Sequence, residues 1–158
     1  MKILVGTDER DTALSYQIIL VNRGHHVKIT ETGDNCVRTY CKNLQVVRTN
    51  NSSNSFMPPF DVVILDYEMP DMNGLEVAKG ILAANPHQRI IFTSVCFKEA
   101  VSSTMKELEM PVQILSKAMS NQVLVGAVED TEIYDELKKF KIDVSRSRKS
   151  DEIRENIS

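Results

Sequence analysis

Polar side chains follow the short apolar runs of this sequence, at the points where the runs end. Asp8, Glu9 and Asp66 supply carboxylates there, Thr93 supplies a hydroxyl and Lys117 an ammonium group. Carboxylates held close together repel one another, and a divalent cation with hard oxygen ligands relieves that repulsion. The set therefore predicts a Mg²⁺ site, if the fold brings these residues together.

A carboxylate in such a site can also act as a nucleophile toward a phosphoryl group. The product is an acyl phosphate, and positive charge must neutralise the transferring oxygens. Lys117 would supply part of that charge, and the Thr93 hydroxyl could donate a hydrogen bond to a phosphoryl oxygen. The set therefore predicts a phosphoryl-accepting aspartate.

The elements that must position these groups alternate along the chain. Short apolar runs separated by stretches of helical period are typical of βα units around a mainly parallel sheet. Continuous apolar runs fit strands covered on both faces, and ligands bind outside the carboxyl ends of such strands. The predicted strands are 3–5, 27–30, 62–65, 90–92 and 112–115.

Five helices are predicted between and after these strands. Two of them carry apolar residues at helical spacing, which predicts one buried stripe each: Leu14, Ile18 and Val21 in the first, and Leu75, Ala78 and Leu82 in the third. Gly24 and the pair Asn85-Pro86 supply the stops. Weaker periodicity predicts helices over 34–47 and 98–109, and the longest helical stretch is 120–140.

The densest motif is DVVILDYEMPDMNGLEV at 61–77, where an apolar strand ends in Asp66 and a Met-Pro turn leads through Gly74 into a helix. MKILV with the following acids, GHHVKITETG at 24–33, RIIFTS at 89–94 and then Lys117 occur in the same order. Together these pieces resemble a response-regulator receiver domain, the CheY-like module of two-component signalling. The resemblance covers about residues 1–130.

The resemblance implies a role for each matching residue. Asp66 would be the phosphoacceptor, Thr93 the switch hydroxyl and Lys117 the partner of the phosphoryl group. Asp8, Asp66 and the backbone carbonyl of Glu68 would hold Mg²⁺ as the cofactor, and Glu9 would add a contact through water.

The resemblance also implies a fold and a set of partners. The fold would be a doubly wound five-stranded parallel sheet of order 2-1-3-4-5, α/β in class, with five helices. A sensor histidine kinase or phosphotransfer protein would donate the phosphoryl group, and output would pass to an unidentified downstream protein. The output face would comprise the fourth helix, fifth strand and fifth helix, and the protein would be a signalling module, not an enzyme.

Three residues depart from the family pattern. Thr7 stands where the first of two adjacent acids is usual, Ile114 where an aromatic switch residue is usual, and Ala118 where a proline with a cis peptide is usual. They favour an alternative, a degenerate receiver that acts as a constitutive interaction or dimerisation module without phosphorylation. Glu68 adds an acid beside the site and predicts an altered rate of dephosphorylation.

Composition limits the other function classes. The chain has 158 residues, 42% hydrophobic, with 19 basic against 22 acidic side chains, which predicts one domain without a broad basic surface for nucleic acid or lipid. Three cysteines without a repeated spacing predict reduced thiols. No signal peptide or membrane span is evident, so we expect a cytoplasmic protein.

The chain divides into a receiver domain over 1–140 and a polar tail over 141–158, with an Asn- and Ser-rich loop insertion at 49–59. An apolar stripe late in the chain comprises Ile133, Leu137, Phe140 and Val144. It could pack on its own sheet or form a homodimer through the last helix, and the spacing leaves both open.

Basic residues in the tail are interpreted as a solvated face and not as a nucleic-acid site. A phosphatase with an aspartyl phosphate intermediate would need a second acid, which Tyr67 and Glu68 do not convincingly supply.

Overall fold

Strands and helices alternate along the whole described chain. The computed structural model describes residues 1–50, 57–108 and 112–131. Its elements are, in order, β1 Lys2–Gly6, α1 Arg10–Asn22, β2 His26–Thr30, α2 Gly33–Asn50, β3 Val62–Asp66, α3 Gly74–Ala84, β4 Ile90–Ser94, α4 Phe97–Glu107, β5 Gln113–Ser116 and α5 Asn121–Glu129. The predicted alternation of five strands and five helices is confirmed.

The five strands form one parallel sheet in the order β2-β1-β3-β4-β5. The central strands β3 and β4 are rich in β-branched residues, which suit a pleated surface packed on both faces. In register, Gly6 of β1 lies opposite Leu65 of β3, and Asp66 of β3 lies opposite Thr93 of β4. The predicted doubly wound α/β fold is therefore confirmed, and the carboxyl ends of the three central strands meet at one edge.

Two apolar cores lie on opposite faces of the sheet, because successive strand side chains point to opposite sides. On one face, Val63 and Leu65 pack with residues of α2 and α3 such as Tyr40 and Ile81. On the other, Val62 and Ile64 pack with residues of α1 and α5, among them Leu20 and Leu124. This double burial explains why the inner strands β1, β3 and β4 are almost continuously apolar.

The predicted buried stripe of α1 is wrong. Leu14, Ile18 and Val21 are 57%, 52% and 49% exposed, and the helix buries Tyr16 and Leu20 instead. Tyr16 and Leu20 lie on the opposite face of the helix, at roughly 100° per residue. Periodicity finds an apolar face, but it does not show which face contacts the sheet.

The predicted stripe of α3 is confirmed, since Leu75, Ala78 and Leu82 are all buried. The start of this helix is fixed by Asn73, whose side chain accepts a hydrogen bond from the Glu76 backbone N–H at 2.9 Å. Asn85 ends it, as predicted.

The predicted stop of α1 is also confirmed. The helix ends at Asn22, and Gly24 follows with φ +88°, a left-handed conformation that favours glycine. Its backbone N–H donates to the carbonyl of Val21 at 2.9 Å.

The boundaries of α2 correct the predicted loop insertion at 49–59. The helix continues through Asn50, and its last turn is supported by the Thr49 hydroxyl, which donates to the Gln45 carbonyl at 2.8 Å. Residues 51–56 of the predicted loop, the apolar stripe from Ile133 to Val144 and the tail over 141–158 lie outside the described residues.

The three cysteines are free: Cys36 is buried, Cys41 half-buried and Cys96 exposed. Burial raises the pKa of the Cys36 thiol to about 11, as for a core residue and not a reactive one. Within 1–50, 57–108 and 112–131, none of the helices has the length and apolar character needed to cross a bilayer.

Candidate functional site

The predicted carboxylates meet at the carboxyl edge of the sheet. Asp8 and Glu9 follow β1, Asp66 ends the neighbouring β3, and each offers a carboxylate oxygen within 4.8 Å of the others. Asp8 and Glu9 are exposed, whereas Asp66 is 1% exposed. The predicted acidic cluster is thus present, with its central member at the floor of the site.

The two oxygens of Asp66 differ in their surroundings. Oδ2 accepts a hydrogen bond from the Lys117 ammonium at 2.7 Å and another from the Thr7 hydroxyl at 3.2 Å. Oδ1 is buried and has no hydrogen-bond partner within the described parts of the chain. Burial raises the pKa of Asp66 even though Lys117 and Thr7 act in the opposite direction. One oxygen is held in place and the other is left for a ligand.

Lys117 bridges two members of the acidic cluster. Its ammonium group lies 2.7 Å from Asp66 Oδ2 and 2.6 Å from Glu9 Oε1. Burial lowers the pKa of Lys117, but its hydrogen bonds to Asp66 and Glu9 outweigh this and hold the pKa above the ordinary value. Lys117 is therefore the cation that partly neutralises the site.

The peptide bond from Lys117 to Ala118 is trans, because the described residues contain no cis peptide. The backbone N–H of Lys117 donates to the Ser94 carbonyl at 2.9 Å, which ties the end of β5 to the end of β4. Ala118 at the usual proline position thus leaves the lysine within reach of Asp66.

Thr7 has a contact that the sequence did not reveal. The sequence indicates only the loss of a carboxylate at this position, but the Thr7 hydroxyl donates to Asp66 and accepts from the Glu9 backbone N–H at 3.3 Å. Thr7 is buried, so the usual second acid is replaced by a neutral hydrogen-bond donor. The sequence feature that could have indicated this contact is a short polar residue directly after a strand.

Thr93 lies beside Asp66 in the sheet register and is buried. Its Oγ1 has no hydrogen-bond partner within the described residues. Tyr16 of α1, which sequence reasoning missed, is buried in the core between α1 and the sheet. Burial raises the pKa of Tyr16, whereas the Thr93 hydroxyl and Lys117 lower it.

The Glu68 side chain contacts the loop after β4. Its carboxylate accepts a hydrogen bond from the Ser94 hydroxyl and another from the Val95 backbone N–H at 3.4 Å. The Ser94 hydroxyl in turn accepts from the Cys96 backbone N–H at 3.0 Å. Glu68 therefore links the loop that follows Asp66 to the loop that follows Thr93.

Ile114 is half-buried and packs against the core that contains Phe92. The aromatic contact to Phe92 comes from Tyr67, with ring centroids 5.6 Å apart in an edge-to-face arrangement. Position 114 thus provides only apolar contact, as its side chain requires.

Gly74 shapes the loop between Asp66 and α3. A Cβ atom at this position would lie 2.6 Å from the Asp66 carbonyl oxygen, so any larger residue would displace the backbone there. Its N–H donates to the Tyr67 carbonyl at 2.8 Å. The glycine of the predicted motif therefore fixes the strand end that carries Asp66.

The donor set suits a hard divalent cation. Asp8, Glu9 and Asp66 offer only oxygen ligands, two of these residues are open to solvent, and Asp66 Oδ1 is buried without a partner. Mg²⁺ binds through one or two carboxylates and keeps several waters. The residues present thus fit a Mg²⁺ ion.

Comparisons with known proteins agree with this geometry. A profile of the response regulator receiver domain matches residues 3–129. The fold is similar to chemotaxis protein CheY4 of Vibrio cholerae, at TM-score 0.66 and 18% identity over 81% of this chain and 95% of that one. It is also similar to a response regulator receiver domain protein of Clostridium thermocellum, at TM-score 0.60 and 21% identity over 90% and 98% of the two chains.

One curated relative is the protein-glutamate methylesterase/protein-glutamine glutaminase 2 of Caulobacter vibrioides. It is 34% identical over 64 residues, which are 40% of this chain and 18% of that protein. The match spans less than a fifth of that relative's length.

Proposed function

Because the chain belongs to the response regulator receiver domain family, a family of two-component signalling modules and not of conventional enzymes, we propose that it accepts a phosphoryl group on Asp66. The observation that carries the proposal is the asymmetry of this carboxylate. Oδ2 is held by Lys117 and Thr7, while Oδ1 has no partner within the described residues.

Receiver domains interact with histidine kinases, so the proposed donor is a phosphohistidine of such a kinase or of a phosphotransfer protein. Oδ1 of Asp66 attacks the phosphorus, the phosphorus–nitrogen bond to the donor imidazole breaks, and the imidazole leaves with the bonding electrons. Lys117 stays beside the acceptor and neutralises the developing oxygen charge.

Asp8, Asp66 and the backbone carbonyl of Glu68 are proposed to hold Mg²⁺, with Glu9 contributing through water. When bound, the ion would neutralise negative charge on the phosphoryl oxygens. The acidic cluster supports this assignment, since its three carboxylates lie within 4.8 Å of one another and only two of them, Glu9 and Asp66, contact the lysine.

The proposed switch residue is Thr93, whose hydroxyl would turn toward the phosphoryl group. The resulting shift would reach the surface formed by α4, β5 and α5, where a downstream protein would dock. Support comes from the position of Thr93, next to Asp66 in register and at the end of the strand that leads into α4.

A second candidate function is a degenerate receiver that binds partners without phosphorylation. Thr7 favours it, because one acid of the usual metal site is absent. The Glu9 carboxylate also favours this candidate. It accepts a hydrogen bond from the Lys117 ammonium at 2.6 Å and so competes with a phosphoryl group for that ammonium.

Intact-mass measurement with a small phosphodonor such as phosphoramidate, with and without Mg²⁺, separates the two candidates. We expect a gain of one phosphoryl group that requires Mg²⁺ and is lost in Asp66→Asn. Asp61→Asn is the matched control, since Asp61 lies at the opposite end of the same strand and accepts a hydrogen bond from the Lys2 backbone. A wild-type protein that gains no mass under any condition would favour the degenerate module.

A further inference from the structure

The loop between β4 and α4 is held by a carboxylate from the loop after Asp66. One oxygen of Glu68 accepts a hydrogen bond from the Ser94 hydroxyl, and the other accepts from the Val95 backbone N–H at 3.4 Å. The Ser94 hydroxyl in turn accepts from the Cys96 backbone N–H at 3.0 Å. Three consecutive residues of the β4–α4 loop are therefore held by one carboxylate and one hydroxyl.

These contacts lie at a helix start that has no capping side chain of its own. Helices α3 and α5 begin after Asn73 and Ser120, whose side chains accept hydrogen bonds from backbone N–H groups of the first turn. Cys96, at the corresponding position of α4, forms no such side-chain hydrogen bond. The start of α4 is thus positioned from outside the helix, by Glu68 and Ser94.

The same carboxylate belongs to a residue close to Asp66. Glu68 follows Asp66 by two residues, so their Cα atoms are at most about 7 Å apart. Ser94 is fully buried and directly follows Thr93, which pairs with Asp66 in the sheet register. A movement of Thr93 toward Asp66 therefore pulls on the residue that Glu68 holds.

From these contacts we propose that Glu68 is a positioning residue, which anchors the start of α4 while Asp66 is unphosphorylated and releases it when Asp66 carries a phosphoryl group. The anchor couples Asp66 to α4 without the aromatic residue that Ile114 replaces. The inference rests on the proposed function, because the phosphoryl group supplies the charge that breaks the anchor.

Electrostatic repulsion is the cause of the release. An acyl phosphate at Asp66 carries more negative charge than the carboxylate it replaces, since phosphoryl oxygens are largely ionised at neutral pH. Mg²⁺ and Lys117 are proposed to be present before and after transfer, so they do not cancel this difference. Glu68 is half-buried, and its separation from Asp66 is below the Debye length of about 8 Å at physiological salt. Turning the Glu68 carboxylate toward solvent relieves the repulsion and frees Ser94 and Val95.

Hydrogen exchange of backbone amides, measured by NMR, tests the anchor because the Val95 N–H is one of its donors. Exchange is compared within each protein, without a phosphodonor and with phosphoramidate and Mg²⁺, and intact mass gives the phosphoryl occupancy. In the wild type we expect exchange at Val95 and Cys96 to become about two- to ten-fold faster on phosphorylation, the effect of one hydrogen bond.

Two substitutions of Glu68 separate its hydrogen bonds from its charge. Glu68→Ala removes both, so exchange at Val95 should be fast without a phosphoryl group and should not accelerate further. Glu68→Gln keeps an oxygen that can accept from the Val95 N–H but carries no charge, so exchange should stay slow in both states. The quantity compared between proteins is the response to phosphorylation and not the absolute exchange rate.

Glu99→Gln is the matched control. Glu99 is an exposed acid in the first turn of α4, so this substitution removes a charge beside the same loop and leaves the Glu68 contacts in place. We expect exchange at Val95 to respond to phosphorylation as in the wild type.

The outcomes separate the inference from the function beneath it. A wild-type protein that takes up no phosphoryl group overturns both. If the wild type is phosphorylated but Glu68→Ala leaves the resting exchange at Val95 unchanged, Glu68 is not an anchor and the inference alone fails. It also fails if exchange in the wild type does not accelerate, or if Glu68→Gln responds to phosphorylation as the wild type does, since the release would then not depend on charge.

Discussion

At the scale of single residues, the site is defined by the different hydrogen-bond partners of the two oxygens of one carboxylate. Asp66 keeps one oxygen bound to Lys117 and Thr7, while the other is buried without a partner. Burial raises the pKa of the acid, and the nearby ammonium acts in the opposite direction. The Lys117 ammonium partly neutralises the Asp66 carboxylate. It is also proposed to neutralise the phosphoryl oxygens.

Replacing this lysine should separate its effect on phosphoryl transfer from its effect on Mg²⁺ binding. Lys117→Gln is expected to reduce phosphorylation from a small phosphodonor about 100-fold, the effect of losing one charged donor at a transition state. Mg²⁺ binding should persist or strengthen, because the acidic cluster loses its internal cation. Rates by intact mass and Mg²⁺ affinity by calorimetry measure the two effects.

Lys79→Gln is the control, since Lys79 forms an exposed ion pair with Glu107 away from the acidic cluster. It should change neither quantity. A Lys117→Gln protein that is phosphorylated as fast as the wild type would show that the lysine has no part in transfer.

Single-residue chemistry was largely predictable from the sequence. Asp8, Glu9, Asp66, Thr93 and Lys117 were found because each follows a strand, and parallel strands present their carboxyl ends at one edge. Thr7 was not, because its contacts with Asp66 and with the Glu9 backbone depend on the rotation of the chain as it enters α1. The fold class needed only the alternation of apolar runs, which is why it could be predicted without those contacts.

At the scale of the elements, α1 shows what periodicity leaves undetermined. Its apolar spacing at Leu14, Ile18 and Val21 faces solvent, and the face with Tyr16 and Leu20 packs on the sheet. The buried face includes a tyrosine, whose hydroxyl lowers the apolar character of that face. The more apolar face of a helix is thus not always the one that contacts the core.

Two substitutions two residues apart in α1, on opposite faces of the helix, test this orientation. Leu20→Ala should lower the free energy of unfolding by about 2–5 kcal/mol, because Leu20 is fully buried. Ile18→Ala should cost less than about 1 kcal/mol, since that side chain is half exposed. Urea unfolding of both proteins gives the comparison, and equal losses would contradict the observed orientation of α1.

At the scale of the whole molecule, distant parts of the chain are joined near the end of α5. Glu129 accepts two hydrogen bonds from the Arg23 guanidinium, at 2.9 and 2.7 Å, and lies 3.0 Å from His25 Nε2. Arg23 and then His25 lower the pKa of Glu129 from 4.5 to about 2. The end of α1 and the end of α5 are thereby linked through one carboxylate.

This link makes a prediction about acid stability. Because the folded pKa of Glu129 is depressed, its contribution is fully present above pH 4.5 and is lost as the pH falls toward about 2. Glu129→Gln should therefore be less stable than the wild type at pH 6, and the difference should shrink steadily below pH 4.5. Urea unfolding at a series of pH values measures it.

Glu107→Gln, which removes the exposed pair with Lys79, is the control and should give a smaller difference at pH 6. A Glu129→Gln difference that stays constant between pH 6 and pH 2.5 would rule out the link as its source.

The spacing of the site along the chain has a consequence for synthesis. Lys117 is 51 residues from Asp66 and 108 residues from Glu9 in sequence, yet it contacts both carboxylates. A nascent chain that has not passed β5 holds every carboxylate of the cluster but lacks the cation that neutralises it. Chemistry at Asp66 thus depends on contacts that form only between distant segments. A chain would therefore be able to take up a phosphoryl group only after β5 has joined the sheet. Phosphoryl uptake would then distinguish chains with a complete sheet from incomplete ones.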